Sequence, residues 1–176
     1  MMARRYVMTL LLFLLFIVET TIVPLLIPGA WQTRIIPHLV FVVILFAAIY
    51  DHRYVALMLG LTFGILHDVV FYGIMIGTYS FSMGLSGYLM GLVFRSRRAS
   101  LLVMMIVVVI GSLLMDSIIF GIYTVFKIYK LPYTYALVDH IIPTVIVQLI
   151  FALAIYVPLR RQIDKLVRRR PQEETA

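Results

Sequence analysis

The chain has 176 residues, 63% of them hydrophobic and only 13% charged. That charged share is about half the roughly 25% of a soluble domain, so no soluble domain remains once the apolar segments are set aside, and an integral membrane protein is predicted. There is no cysteine, which excludes disulfides, thiolate metal sites and cysteine nucleophiles. The net charge of +7 lies in short loops and a tail beside apolar segments, so it reports orientation in a membrane and not nucleic-acid binding.

Met1 to Arg5 is a short basic start, followed by an apolar run from Tyr6 to about Ile27. The run is too long for a secretory signal core, carries Glu19 and lacks a small-x-small cleavage site, so a retained helix is predicted. Pro28 and Gly29 end it, and Trp31 falls where an interfacial aromatic belongs. Pro37 to Tyr50 is the second segment; it rises only about 21 Å against a hydrocarbon core of ~30 Å. Asp51-His52-Arg53 forms a polar turn. Tyr54 to Tyr72 and Thr78 to Phe94 follow, then the basic loop Arg95-Ser96-Arg97-Arg98 and a long run from Ala99 to about Phe126. A loop from Lys127 to Pro132 leads to a last segment, about Tyr135 to Pro158, and a basic tail. One transmembrane domain over 1–159 and a cytoplasmic tail over 160–176 are predicted.

Loop charge decides whether the short second segment crosses. With six crossings and the amino terminus inside, Arg4, Arg5, Arg53, Arg95, Arg97, Arg98, Arg160, Arg161, Lys165, Arg168, Arg169 and Arg170 face the cytoplasm. Only Arg34, Lys127 and Lys130 face outward. Were the second segment re-entrant, every later loop would flip and most of the basic residues would lie outside, against the positive-inside rule. An all-α bundle of six transmembrane helices with both termini inside is the expectation.

The stretch from Gly60 to Gly91 carries the densest pattern. Gly60 and Gly64 form a small-x-x-x-small pair, and Gly77, Ser80, Gly84, Gly87 and Gly91 recur at three- and four-residue spacing. In lipid no hydrophobic drive operates between helices, so such a seam predicts close backbone packing. Asp68, one turn beyond Gly64, shares its arc and is predicted to point into the bundle as the polar centre of the seam.

Four acids gather at one level. Counting helical rise from the inner end, Glu19 and Asp68 lie about 21 Å up, Asp116 about 25 Å and Asp139 about 30 Å. No lysine or arginine within the spans faces them; His67 and His140, each beside an acid, are the bases at that depth. Ser112 precedes Asp116 by one turn, and His140, Thr144 and Gln148 share a face of the last helix. The favoured reading is an interhelical hydrogen-bond network with some carboxyls neutral, in which Asp68→Asn preserves folding; the competing one is a proton, cation or substrate site. No pattern specifies a cofactor or metal. Asp68 and Asp116 lack the Gly-x-Gly-Asp context of intramembrane proteases, and there is no His-Glu-x-x-His, Gly-x-Ser-x-Gly or phosphate-binding loop. Ser82 and Ser86 have no general base nearby in sequence, so catalysis is not expected.

Pro37-His38-Leu39 opens the second helix, Gly60-x3-Gly64-Ile65-Leu66-His67-Asp68 follows, and Gly73 and Gly77 precede a small-residue helix. With Asp139-x3-Pro143 and a short basic tail, this order resembles the rod shape-determining protein MreD family of bacteria over nearly the whole chain. His67 stands where an aliphatic or aromatic residue would be expected. The resemblance implies a non-enzymatic, multi-pass component of the bacterial cell membrane that binds the bitopic protein MreC. The wider complex of MreB, a SEDS glycosyltransferase and a penicillin-binding protein directs lateral peptidoglycan synthesis and cell shape. The family is also similar in architecture to substrate-binding subunits of energy-coupling-factor transporters, which makes a small-molecule carrier the alternative. Such a carrier would show a small-x-x-x-small docking face on its first helix, whereas LLLFLLFIVETT is bulky throughout. Lipid is the expected surroundings, nucleic acid is not a partner, and a homodimer is left open.

Overall fold

The computed structural model describes residues 2–26, 36–71, 75–94, 99–129 and 132–167, with the side chains of 2–9 and 158–167 left aside. The helices are α1 (Met2–Thr21), α2 (Val23–Leu26), α3 (Leu39–Tyr50), α4 (Arg53–Val70), α5 (Thr78–Val93), α6 (Leu101–Val125), α7 (Tyr133–Ala136) and α8 (Ile142–Val167). A π-helical turn, Leu137–Ile141, joins α7 to α8. No strand occurs among the described residues. Three helical stretches, Arg53–Val70, Leu101–Val125 and Tyr133–Val157, are long and apolar enough to cross a membrane, and the protein is an all-helical membrane protein. Leu10–Leu25 and Leu39–Tyr50 are shorter apolar helices.

The shortest of these runs is the centre of the molecule. Every residue from Leu39 to Ile49 is at most 6% exposed. A helix that is apolar on all sides must be covered on all sides, and α3 packs against α1, α4, α5, α6 and α8. Around it the other helices turn a second apolar face outward. Leu10, Phe13 and Leu14 of α1, Met58, Ile65 and Val69 of α4, and Ile146, Ile150, Leu153 and Val157 of α8 are all exposed. Such a belt suits lipid, which solvates apolar side chains as well as a protein core does.

Local chemistry explains where the helices break. The first segment is not one helix from Tyr6 to Ile27: it divides at Ile22, because Pro24 has no N–H and its ring opposes the carbonyl of Thr20. The π turn arises from the same cause, since Pro143 cannot bond the carbonyl of Asp139 and the widened turn just before it absorbs the defect. Past Tyr135–Pro158 the last helix continues to Val167, into the stretch read as tail. At the end of α6, Lys127 adopts φ +58°. Its N–H donates to the Thr124 carbonyl at 3.0 Å, and the Ile128 N–H donates to Tyr123 at 2.8 Å, the paired bonds of a Schellman cap. Near the start of α6, the Tyr50 and Tyr156 hydroxyls both donate to the Ala99 carbonyl, at 3.1 and 3.4 Å, tying the end of α3 and the middle of α8 to one point.

Trp31, Gly73, Arg34, Lys130, the Arg95–Arg98 loop and the end of the basic tail lie outside the described residues, as do the side chains of Arg4 and Arg5.

Candidate functional site

Small residues let α4 and α5 meet backbone to backbone as an antiparallel pair. A Cβ added to Gly60 would lie 2.7 Å from the Cα of Gly84, and one added to Gly64 would lie 2.6 Å from the amide nitrogen of Ser80. Ser80 Oγ donates to the Leu61 carbonyl at 2.9 Å across the same contact. Farther along, Gly87 faces Ile44 and Ala56, and Gly91 faces Arg53 and the Ala48 carbonyl, so the seam also seats α5 on α3. Gly77 is different. Its added Cβ would touch nothing within 4 Å, but its φ of +100° belongs to the left-handed region that glycine tolerates.

That conformation places the first amides of α5 around Asp68, which is 1% exposed. Gly77 has no side chain with which to cap its helix, and Asp68 of α4 supplies one. Its Oδ2 accepts from the amides of Gly77 at 2.9 Å and Ser80 at 3.2 Å, and its Oδ1 accepts from Tyr79 at 3.3 Å. These are donors that a helix leaves unsatisfied at its start, and the helix dipole favours an acidic group there.

Glu19 does the corresponding task for α3. The carboxylate reaches from α1 so that Oε2 accepts from the Val40 amide at 2.8 Å, leaving Oε1 free of hydrogen bonds. Two imidazoles face Oε1: His67 Nε2 at 3.4 Å and His38 Nδ1 at 3.9 Å. All three side chains are at most 4% exposed. Aromatic rings close the space, with Phe71 and Tyr79 centred 4.4 and 4.6 Å from the His67 ring and Phe16 at 6.3 Å.

The other predicted residues stand apart from this triad. Asp116 lines a cavity of about 110 Å³ with His38, Tyr79, His140 and Thr144, and its Oδ2 has no hydrogen-bond partner. Thr144 Oγ1 accepts from the Ile36 amide at 3.4 Å. Asp139 and His140 lie in the π turn with Oδ2 and Nε2 3.9 Å apart, and His140 is 47% exposed at its side chain. Gln148 and Ser112 are buried with polar atoms unpartnered. The six residues read as one polar cluster thus divide into a helix cap at Asp68, a closed pair of Glu19 and His67, and a cavity rim of Asp116 and His140 with Asp139 beside it. His38 belongs to both the closed group and the cavity, and its functional reading was missed. The only sequence signal was its place after Pro37 at a helix start, since the Glu19 and His67 contacts are tertiary.

A family model described as rod shape-determining protein MreD matches residues 2–166, nearly the whole chain. The chain belongs to the MreD family. No curated protein matches it. No solved structure matches it either, so no structure supports the expected likeness to energy-coupling-factor subunits. Membership in the MreD family assigns this protein a role in determining rod shape and a place in the rod-shape complex. Among the residues that carried the resemblance, Gly60, Gly64 and Asp68 build the α4–α5 pair, and His38 opens α3.

Proposed function

We propose that this MreD-family chain is a non-enzymatic membrane scaffold of the bacterial elongation complex, binding an MreC-like bitopic protein and supporting lateral peptidoglycan synthesis. The match to the family over residues 2–166 carries the reading. The roles of the buried acids agree with a scaffold: Asp68 holds the start of α5 and Glu19 the start of α3. The chain crosses the cell membrane six times with both termini in the cytoplasm, as the distribution of its 15 lysines and arginines favours. Apart from Gly77, the seam glycines face partners within the chain, which directs any homodimer to another surface.

Photo-crosslinking from the outward faces of α1, α4, α6 and α8 in native membranes tests the assignment, combined with rescue of rod shape in depleted cells. The expected result is a crosslink from one helix face to a bitopic membrane protein, with loss of co-purification and of rod shape when that face is changed. Rescue of shape by a chain that neither crosslinks to nor co-purifies with such a protein would sink the scaffold reading.

A further inference from the structure

Four buried atoms at one place serve none of the roles above: Glu19 Oε1, His38 Nδ1 and both ring nitrogens of His67 have no hydrogen-bond partner. We propose that Glu19, His38 and His67 bind a divalent transition-metal ion of the zinc class, clamping α1 to the start of α3 and to α4.

The donor set has the right chemistry. Two imidazoles and one carboxylate, with no thiolate, suit zinc, cobalt or nickel and are poorly matched to calcium or magnesium, which take all-oxygen shells. Geometry agrees. One ligand atom from each residue lies within 4.8 Å of the other two. Tetrahedral zinc with bonds near 2.0–2.1 Å holds its ligands about 3.3 Å apart. His67 Nε2 and Glu19 Oε1 already stand at 3.4 Å, and His38 Nδ1, at 3.9 Å from the same oxygen, completes the set by a ring movement toward the other two. A hydrogen-bonded triad explains the arrangement less well, because neither imidazole aims an N–H at the carboxylate, and buried polar atoms left without a partner are costly.

The surroundings resemble the support that metal ligands require. The Val40 amide holds Oε2 at 2.8 Å and so presents Oε1 to the imidazoles, as outer partners orient a ligating carboxylate. Tyr79 lies against both histidine rings, at 4.6 and 5.4 Å. The cavity lined by Asp116, Thr144 and the exposed His140 reaches His38, one of the three ligands. The coordination position that three protein ligands leave open would be filled by a water or another small ligand.

The chain has four histidines, which makes a clean test available. Full-length protein carrying His52→Asn and His140→Gln, with a purification tag free of histidine, retains only His38 and His67. Titrated with Co²⁺ in detergent, it is expected to bind one ion per chain, released by Zn²⁺. The bound Co²⁺ should show ligand-field absorption and paramagnetically shifted proton signals from two imidazole rings. Zn²⁺ should raise its unfolding temperature. Adding Glu19→Gln or His67→Gln should weaken binding roughly a hundredfold or more and remove the thermal shift, since even outer-partner changes cost about 10–100-fold. Failure of the double variant to bind one equivalent, or bound Co²⁺ without imidazole signals, would overturn the site. So would undiminished binding in a folded Glu19→Gln or His67→Gln protein. Should those two variants not fold, the imidazole signals of the double variant decide alone.

Discussion

The Asp68 carboxylate of α4 and the Gly77 amide that opens α5 are joined at 2.9 Å, so one helix caps the next across a turn. Removing the side chain strands the amides of Gly77, Tyr79 and Ser80 inside the bundle. Asp68→Ala is therefore expected to destabilise the protein by about 1–3 kcal/mol, measured by denaturant titration in micelles. Asp68→Asn is expected to cost stability where a hydrogen-bond network of unspecified partners would allow it freely: both carboxylate oxygens accept, and an amide offers one acceptor and a donor that meets other donors. Its cost should fall between wild type and Ala. Equal stability of all three proteins would remove Asp68 as a cap.

The seam glycines should differ in sensitivity according to what each one meets. Gly60 and Gly64 face backbone atoms of Gly84 and Ser80, which cannot yield. Gly84 faces the Leu61 side chain at 3.1 Å and Leu57 at 3.5 Å, whose ends can rotate. Gly60→Ala and Gly64→Ala should each cost about 1–3 kcal/mol, by forcing α4 and α5 apart, and Gly84→Ala less. Leu92, exposed on α5, should tolerate substitution by Ala. A thermal-unfolding series that ranks Gly84 above Gly64 would contradict the pairing.

Spacing of small residues made the α4–α5 contact legible in the sequence, because a helix pair that packs on glycine repeats its requirement every turn. The acids were legible as buried, since a carboxylate in an apolar run has few other places to go. Their partners were not. Asp68 bonds main-chain amides, which every residue has, and Glu19 meets His38 across 19 positions of chain through a contact that no periodicity announces. The short α3 run looked weak as a span for the same reason that it is central: full burial erases the polar stripe and frees it from lipid-facing length.

Topology is checked by single cysteines at Gln32, Tyr129, Ser96 and Gln172 in this cysteine-free chain. An impermeant thiol reagent applied to intact cells should label the first two and spare the last two. Labelling at Ser96 would reverse the orientation and the depths assigned to the acids.

Lys127 is a side chain in a glycine's conformation at the end of α6, with φ +58°. Replacement by Gly relieves that strain without disturbing the paired cap bonds, and should stabilise the protein by about 0.5–1 kcal/mol. A melting temperature lowered by Lys127→Gly would show that the lysine side chain contributes more than its backbone costs.

The brevity of α3 has its own consequence. Twelve residues rise only about 18 Å, so the polar beginning of this helix stands well short of the ~30 Å that separates the two headgroup layers. A bilayer has no water to offer bare amides at that level, so an acceptor must be carried in by another helix. Glu19 arrives on α1, which makes the first helix answerable to the second: an amino-terminal segment trimmed or replaced by a generic hydrophobic anchor would still insert, yet leave the axis of the bundle with an open electrical pole.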